Sequence, residues 1–184
     1  ETSRKILTVE DPIEYEVPGI VQTQVAPSIG LTFATALRAF LRLDPNVIMV
    51  GEIRDGETAS IAVQAALTGH LVLTTLHTET AAAAIPRLID LGVDDFLLQS
   101  TLRGIIAQRL VRILCDHCKI QTPLTEELLA KDPRFTLLGL TNGETVCEPK
   151  GCDRCGGSGY RGRSGVFEML EITSNLRSTI HKGV

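Results

Sequence analysis

Runs of mostly apolar residues, without regular alternation, mark three strands that we expect to be covered on both faces. The runs occupy residues 6–9, 47–50 and 71–76, and none of them alternates strictly with polar positions. Such runs are typical of parallel strands in α/β sheets. Between the last two runs, residues 57–67 are rich in alanine, have apolar side chains at helical spacing, and are followed by Gly69, which can end a helix. The pattern predicts a strand–helix–strand unit and an α/β fold.

Capping and turn residues predict the remaining elements. Thr32 is suited to cap a helix that extends to residue 43, because Asp44-Pro45 would stop it there. A second helix is predicted over residues 80–91, with Pro86 marking a kink or a later start, and a third over residues 96–114. The other expectations are an extended or hairpin segment at 17–25, a short helix at 125–130, a strand at 165–170 and a helix beginning near Ser174.

Each of the three apolar runs ends in residues suited to phosphate chemistry. Glu10, Asp11 and Glu14 follow the first run, Glu52 follows the second, and His77 follows the third. In an open parallel sheet, ligands bind beyond the carboxyl ends of the strands. The sequence therefore predicts that acids and a histidine meet at one edge of the sheet.

Three arginines lie close to these segments. Arg38 and Arg42 are four residues apart on a predicted helix, so they share a face and could reach a common anion, or could simply form a solvated helix face. Arg54 follows Glu52 closely, and it is suited either to pair with the acids or to contact a ligand.

Composition adds little that is specific about partners. The chain has a net charge of −4, no tryptophan and 4% aromatic residues, which argues against a basic or stacking surface for nucleic acid. No apolar stretch approaches the roughly 20 residues that span a bilayer, and the amino terminus lacks an apolar signal-peptide segment. These features lead us to expect a cytoplasmic protein.

Four of the five cysteines form two closely spaced pairs. Paired thiolates at this spacing can close a tetrahedral zinc site, and a full set of four protein ligands makes such a site structural. Neighbouring glycines allow the tight turns that the pairs require. His117 and the fifth cysteine, Cys147, remain alternative ligands. The predicted ligands are Cys115, Cys118, Cys152 and Cys155.

Residues 6–15, 44–55, 68–78 and 151–170 closely resemble the secretion ATPases of type II secretion and type IV pilus assembly. Residues 22–25 and 107–115 look most like the type II secretion branch. The resemblance implies a RecA-like P-loop NTPase core that binds ATP and Mg²⁺, a Zn²⁺-binding subdomain, and hexameric rings at the cytoplasmic face of the inner membrane. The rings would act on inner-membrane platform proteins.

The resemblance also assigns roles to residues. Residues 10–14 resemble the aspartate box, residues 47–52 an atypical Walker B motif with glutamate in place of aspartate, and residues 68–78 the histidine box. Glu52 would hold Mg²⁺, and Glu10 or Glu14, supported by Asp11, would activate the attacking water. The residues that would sense or neutralise phosphate are His77, His70, Arg38 and Arg42.

One family motif is absent from the 184 residues. The Walker A loop, G-x-x-x-x-G-K-[ST], does not occur, because in this family it lies upstream of the aspartate box. Its backbone N–H groups and lysine hold the phosphates, so this chain alone is expected to be inactive.

The sequence therefore predicts three regions: residues 1–114 as the ATPase core, 115–155 as the tetracysteine subdomain, and 156–184 as a final strand and helix. The function predicted is the motor of type II secretion, driving pseudopilus assembly. A pilus-assembly ATPase is the alternative with the same chemistry. A non-enzymatic zinc module is another, because residues 152–159 resemble one cysteine-rich repeat of DnaJ-type chaperones.

Overall fold

The computed structural model describes residues 4–181 and divides into two compact units. Unit 1 contains the chain up to Ala107 together with the residues from Glu168 onward, and unit 2 is Gln108–Phe167. The chain leaves unit 1 within one long strand and returns within another, whereas the sequence prediction placed its boundary at the first cysteine. Among the described residues, no helix has both the length and the apolar character needed to cross a bilayer.

Unit 1 is built on a four-stranded parallel sheet with the order β2-β1-β3-β4. This parallel α/β sheet agrees with the predicted fold class. The strands are β1 Ile6–Glu10, β2 Val21–Gln24, β3 Val47–Val50 and β4 Leu71–Thr74.

The sheet is covered by helices that follow its strands in the chain. Thr32 caps the first helix through a capping box with Thr35, as predicted, but the helix ends before residue 43. Asp55 caps the second, accepting a hydrogen bond of 2.7 Å from the Thr58 N–H. The helices of unit 1 are α1 Phe33–Phe40, α2 Gly56–Leu67, α3 Ala84–Asp90, α4 Asp95–Thr101 and α7 Ser174–Arg177.

The core lies between the central strands and these helices. Leu7, Val9, Ile48 and Val50 are fully buried, as the mostly apolar runs of β1 and β3 predicted. Leu37 of α1 and the alanines of α2 close the same core. The position of the charged residues that follow β1 and β3 is therefore set by strands that have little freedom to move.

The structure decides three further predictions, which concern β4, residues 17–25 and α3. β4 was expected to be covered on both faces, but Leu71 and Leu73 are 48% and 51% exposed, because β4 is an edge strand of the sheet that residues 4–181 form. Residues 17–25 do not form a hairpin: residues 17–20 make a turn, closed by a hydrogen bond from the Ile20 N–H to the Val17 carbonyl, and the extended β2 that follows runs parallel to β1. α3 starts at Ala84, which confirms the later start that Pro86 indicated and places the proline in the first turn.

The predicted helix over residues 96–114 is wrong in its second half. The structure has α4 up to Thr101 and then a strand, β5 Gly104–Leu114, which pairs with β8 Tyr160–Glu171. Apolar residues at 98, 102, 105, 106 and 110 fit helical spacing, but the stretch is also rich in β-branched residues. These suit a strand once a partner strand is present, and the partner lies far along the chain.

Unit 2 is a small lobe with few elements. Two short strands, β6 Ile120–Pro123 and β7 Thr145–Glu148, pair antiparallel. Two short helices lie between them in the chain, α5 Glu126–Lys131 and α6 Arg134–Leu137, and α5 confirms the short helix predicted at 125–130. A 3₁₀ turn at Asp153–Cys155 precedes β8.

Candidate functional site

The parallel sheet brings the predicted acids to one edge. Val9 of β1, Val50 of β3 and Thr74 of β4 lie side by side in register at the ends of their strands. The residues that follow, Glu10, Glu52 and His77, consequently lie beyond the same carboxyl edge. We call this region the acid edge.

Glu52 occupies the centre of the acid edge. Arg54 donates a hydrogen bond through Nη2 to Glu52 Oε1, and His77 Nε2 lies 3.2 Å from Glu52 Oε2. Arg54 Nη1 also lies 3.9 Å from Asp11 Oδ2. The Glu52 side chain is 13% exposed, whereas its partners Arg54 and His77 are 62% and 86% exposed. The carboxylate is thus covered while its basic partners face outward.

These contacts determine the protonation of Glu52. The hydrogen bond from Arg54 lowers the pKa of Glu52 below its ordinary value, burial opposes this shift, and the charge of Arg54 and the contact with His77 add to the lowering. The folded state therefore favours the ionised carboxylate. An ionised, covered carboxylate at the end of a buried strand is suited to bind a hard divalent cation.

Glu10 is held by neutral donors instead. Its Oε1 accepts a hydrogen bond of 2.5 Å from the Thr8 hydroxyl and one of 3.0 Å from Gln22 Nε2. Sequence analysis did not identify Thr8 or Gln22. The signal in the sequence is their position, because Thr8 is two residues before Glu10 on the same strand face, and Gln22 lies on the neighbouring strand.

Gly51 allows the two acidic strands to approach closely. A Cβ at this position would lie 3.3 Å from Glu10 Cα and 3.3 Å from the Val9 carbonyl oxygen. The Thr75 hydroxyl donates a hydrogen bond of 2.7 Å to the Gly51 carbonyl, which extends the contact between neighbouring strands beyond their ends. The spacing between Glu10 and Glu52 thus depends on a residue without a side chain.

Asp11 and Glu14 lie on the loop after β1. Asp11 faces Arg54, as described above, whereas Glu14 is exposed. The loop is attached to β2, since the Ile13 N–H donates to Gln24 Oε1 at 3.3 Å.

The predicted phosphate-neutralising arginines are not gathered around Glu52. Arg38 pairs with Glu57 of α2 at 2.5 Å, and both side chains are exposed. Arg42 is exposed and follows the end of α1, in the connection that leads to the amino end of β3. The structure thus engages Arg38 with a different acid and places Arg42 near the start of β3.

His70 lies at the other end of β4 from His77. It precedes β4 rather than following it, so it lies toward the amino edge of the sheet. Its Nδ1 lies 2.9 Å from the Ala65 carbonyl oxygen, and because a carbonyl only accepts, Nδ1 carries the hydrogen. In this position His70 ties the start of β4 to the last turn of α2.

The four paired cysteines of unit 2 form one cluster. Their sulfur atoms all lie within 4.8 Å of one another, and Cys115 and Cys118 are buried. The separations are 3.9 Å for Cys115–Cys152, and 3.8 Å for both Cys118–Cys155 and Cys152–Cys155. Zn–S bonds of about 2.3 Å in a tetrahedron give S···S separations of about 3.8 Å. The cluster therefore fits a tetrahedral metal ion.

The thiols of this cluster have unequal pKa values. Burial raises the pKa of Cys118 to about 11, and the neighbouring thiols add to this. Burial acts to raise the pKa of Cys155, but the backbone N–H groups of Cys152 and Gly159, each 3.2 Å from its sulfur, together with the thiols of Cys152 and Cys118, lower the pKa to about 6. N–H groups directed at a sulfur stabilise the thiolate form, which is the form that binds metal.

The two alternative ligands lie outside the cluster. Cys147 is exposed on β7 and is not part of the group of four. His117 is engaged elsewhere, since its Nε2 lies 2.6 Å from Arg154 Nη1. Among residues 4–181, the cluster of three or more potential metal ligands is therefore the predicted set of four cysteines.

Comparison with known proteins gives matches along the whole chain. The family described as type II/IV secretion system protein matches residues 1–184. The chain is 54% identical over 180 residues to the type II secretion system protein E of Dickeya dadantii, covering 98% of this chain and 35% of that protein. It is 53% identical over 180 residues to the type IV pilus assembly ATPase PilB of Thermus thermophilus, covering 96% and 20% respectively.

A solved structure matches the fold as well. The crystal structure of the pilus retraction motor PilT with bound ADP superimposes with a TM-score of 0.63 at 33% identity, covering 97% of this chain and 41% of that chain. The chain thus spans about a third of the length of the first curated relative and a fifth of the second.

Proposed function

The chain belongs to the type II/IV secretion system protein family, and from that premise we propose that it forms part of the ATP-hydrolysing motor of type II protein secretion. In the whole protein, hydrolysis would drive pseudopilus assembly from the cytoplasmic face of the inner membrane. The name and 54% identity of the Dickeya dadantii relative support this assignment. Since the chain spans about a third of that relative, the activity belongs to the longer protein.

The arrangement of Glu52 is the observation that carries the proposal. Its carboxylate is covered, its pKa is lowered by Arg54, and it lies within hydrogen-bonding distance of His77. Glu52 would hold Mg²⁺ directly or through water, and the bound ion would neutralise charge on the β- and γ-phosphates.

The remaining acids and His77 would serve the hydrolytic step. Glu10, fixed by Thr8 and Gln22, would orient the attacking water and accept its proton. Glu14 is an alternative for this role, and Asp11 would support either through its approach to Arg54. His77, which is 86% exposed beside Glu52, would sense the terminal phosphate.

Unit 1 would be part of a RecA-like P-loop NTPase core whose phosphate-binding loop belongs to the longer protein. Two features support this: the similarity to PilT, and the exposed leucines on the free edge of β4, which offer an apolar surface to further chain. Arg38 and Arg42 would neutralise phosphate across a subunit boundary, which requires the Arg38–Glu57 pair to open first. For His70, the contact with Ala65 favours an indirect role in phosphate sensing.

The cysteine cluster would hold one structural Zn²⁺. Cys115, Cys118, Cys152 and Cys155 would all be ligands, so the ion would have no open position for substrate. Such an ion would stabilise the fold of residues 115–155, which the sequence analysis predicts to form a subdomain.

The assembly and location of the motor are also proposals. We expect a hexameric ring that contacts inner-membrane platform proteins and associates with the membrane through them, without binding nucleic acid. The net charge of −4 and the family assignment support this expectation.

Pilus assembly is a second candidate, favoured by the 53% identity to PilB of Thermus thermophilus. The two candidates share the same chemistry and differ in the client. Complementation separates them: the gene should restore secretion in a strain that lacks its own secretion ATPase. Restored pilus assembly without restored secretion would favour the second candidate.

ATP turnover by the full-length protein tests the proposed activity. With Mg²⁺ present, we expect turnover in the wild type and a loss of at least about a hundredfold in Glu52→Gln, because the amide cannot supply the anionic oxygen that the cation needs. Full turnover in Glu52→Gln would remove Glu52 from the mechanism. No turnover in folded wild-type protein would overturn the ATPase proposal and direct attention to the cysteine module.

A further inference from the structure

Four polar side chains share one face of the sheet beside the acid edge. Side chains two residues apart on a strand point to the same face, so Thr8 and Glu10 share a face of β1, and Gln22 and Gln24 share a face of β2. The parallel register aligns Thr8 with Gln22 and Glu10 with Gln24. Both glutamines are therefore adjacent to the acidic strand.

Both the NH₂ group and the oxygen of the Gln22 side-chain amide form hydrogen bonds. Its Nε2 donates to Glu10 Oε1 at 3.0 Å and to the Tyr15 carbonyl oxygen at 2.9 Å, and its Oε1 accepts from the Val17 N–H at 2.7 Å. These partners fix the orientation of the amide, because a flip would set its oxygen against the Glu10 carboxylate and its NH₂ against the Val17 N–H. Gln22 thus connects the acid to both ends of the segment 15–17.

Thr8 is the second side chain that donates a hydrogen bond to Glu10. Its side chain is buried, with the residue 5% exposed, and its hydroxyl donates to the same Glu10 oxygen at 2.5 Å. Both hydrogen bonds fall on Oε1, so neither of them occupies the second oxygen of the carboxylate. Neither donor is charged, so the carboxylate is oriented without the ion pair that binds Glu52.

We propose that Gln22 is a positioning residue for hydrolysis, which holds the Glu10 carboxylate in one orientation, with Thr8 as its buried partner. This inference rests on the proposed function, because it takes Glu10 to be the group that receives the proton of the attacking water. Gln22 itself touches neither water nor nucleotide in this mechanism. Its effect is on the orientation of the acid.

The test compares Gln22→Met with Gln24→Met in the full-length protein. Methionine keeps the length and packing of glutamine but removes the donor and the acceptor, and Gln24 provides a matched control because its contact is with the Ile13 N–H of the loop rather than with Glu10. We expect kcat for ATP to fall about tenfold in Gln22→Met, as suits the loss of a hydrogen bond to a charged group. The KM for ATP and the thermal midpoint should match those of Gln24→Met.

A second variant and a double mutant separate positioning from folding. Thr8→Val is isosteric, removes the other donor to Glu10 Oε1, and should lower kcat in the same way. In a Glu10→Gln background, Gln22→Met should cause little further loss, because the acid that it positions is already gone. A loss that is additive there, or that appears equally in kcat, KM and thermal stability, would show a structural role only.

The outcomes also separate this inference from the proposed function. Glu10→Gln with undiminished turnover would contradict the role given to Glu10 and, with it, the inference. A large loss in Glu10→Gln, with Gln22→Met indistinguishable from Gln24→Met, would overturn the inference alone.

Discussion

The two candidate sites are built in opposite ways. The acid edge of unit 1 lies at the end of fully buried strands, so its geometry comes from a large core assembled from distant parts of the chain. The cysteine cluster of unit 2 is itself a large part of the core, since the buried apolar side chains between residues 108 and 167 are Cys115, Cys118 and Leu124. The first site is placed by the fold, whereas the second helps to make the fold.

Because of this difference, the two sites differ in whether they need a bound ion to keep their geometry. Unit 1 buries enough apolar surface to hold its acids without help from a ligand. A lobe of about 60 residues with so few buried side chains gains little from hydrophobic burial and usually needs a metal or disulfides. We therefore expect metal removal and acid substitutions to affect different parts of the molecule.

Metal removal should give the largest effect. Because structural zinc sites contribute about 10–16 kcal/mol to folding, stripping the metal or introducing Cys152→Ser should unfold the segment 115–155. In hydrogen exchange, protection of that segment should fall by more than about a hundredfold while β1 and β3 stay protected. Cys147→Ser is the matched control and should change nothing. Unchanged protection after metal removal would mean that the lobe folds without the ion.

Adding one methyl group at Gly51 should have an effect of intermediate size on stability and turnover. In Gly51→Ala the new Cβ would lie 3.3 Å from backbone atoms of β1, so the strands must separate by a few tenths of an ångström. We expect a loss of about 1–3 kcal/mol in the free energy of unfolding, together with a loss of turnover of about tenfold, because Glu10 and Glu52 move apart.

Gly104→Ala is the control for this substitution, because its Cβ would make an ordinary contact of 3.5 Å with the Leu170 carbonyl oxygen. Denaturant unfolding and ATP turnover measure the two effects. If both variants behave alike, the close approach at Gly51 has no special importance for the acid edge.

The smallest expected effect is that of removing Arg54, whose contact lowers the pKa of Glu52. The carboxyl group of Glu52 has a lowered pKa in the folded state, so its stabilising contribution is present above its ordinary pKa and is lost as the pH falls through the lowered value. Arg54→Met removes the main cause of the lowering, so it should raise the pKa of Glu52 and move acid unfolding to a higher pH. The effect on stability should be small, because Arg54 is 62% exposed and solvent screens the pair.

Carboxyl NMR shifts measured across an acid titration would follow Glu52 directly. Arg38→Met is the matched control, since it breaks an exposed ion pair with Glu57 and leaves the contacts of Glu52 intact. An equal change in the titration of Glu52 in both variants would contradict the assignment of the shift to Arg54.

The sequence predicted those parts of the structure whose signals are local. The apolar runs of β3 and β4 and the alanine-rich residues between them predicted the strand–helix–strand unit that the structure contains as β3, α2 and β4, and the two cysteine pairs predicted the four side chains that cluster in unit 2. The common edge of the sheet followed from parallel pairing alone.

Errors arose where distant pairing decides the outcome. Residues 104–114 fit a helical pattern, but β5 forms because residues 160–171 provide a partner strand. Leu71 and Leu73 look like core residues, yet β4 lies at the edge of the sheet. Gln22 was overlooked for the same reason, because its importance depends on the register that places it beside Glu10.

Nucleotide binding and single-turnover hydrolysis, measured together on full-length wild type and Glu52→Gln, test the central claim most directly. If the acid edge is the hydrolytic centre, the variant should bind ATP within about threefold of the wild type and hydrolyse it at least about a hundredfold more slowly. Hydrolysis at the wild-type rate, or binding lost to the same extent as hydrolysis, would contradict the account.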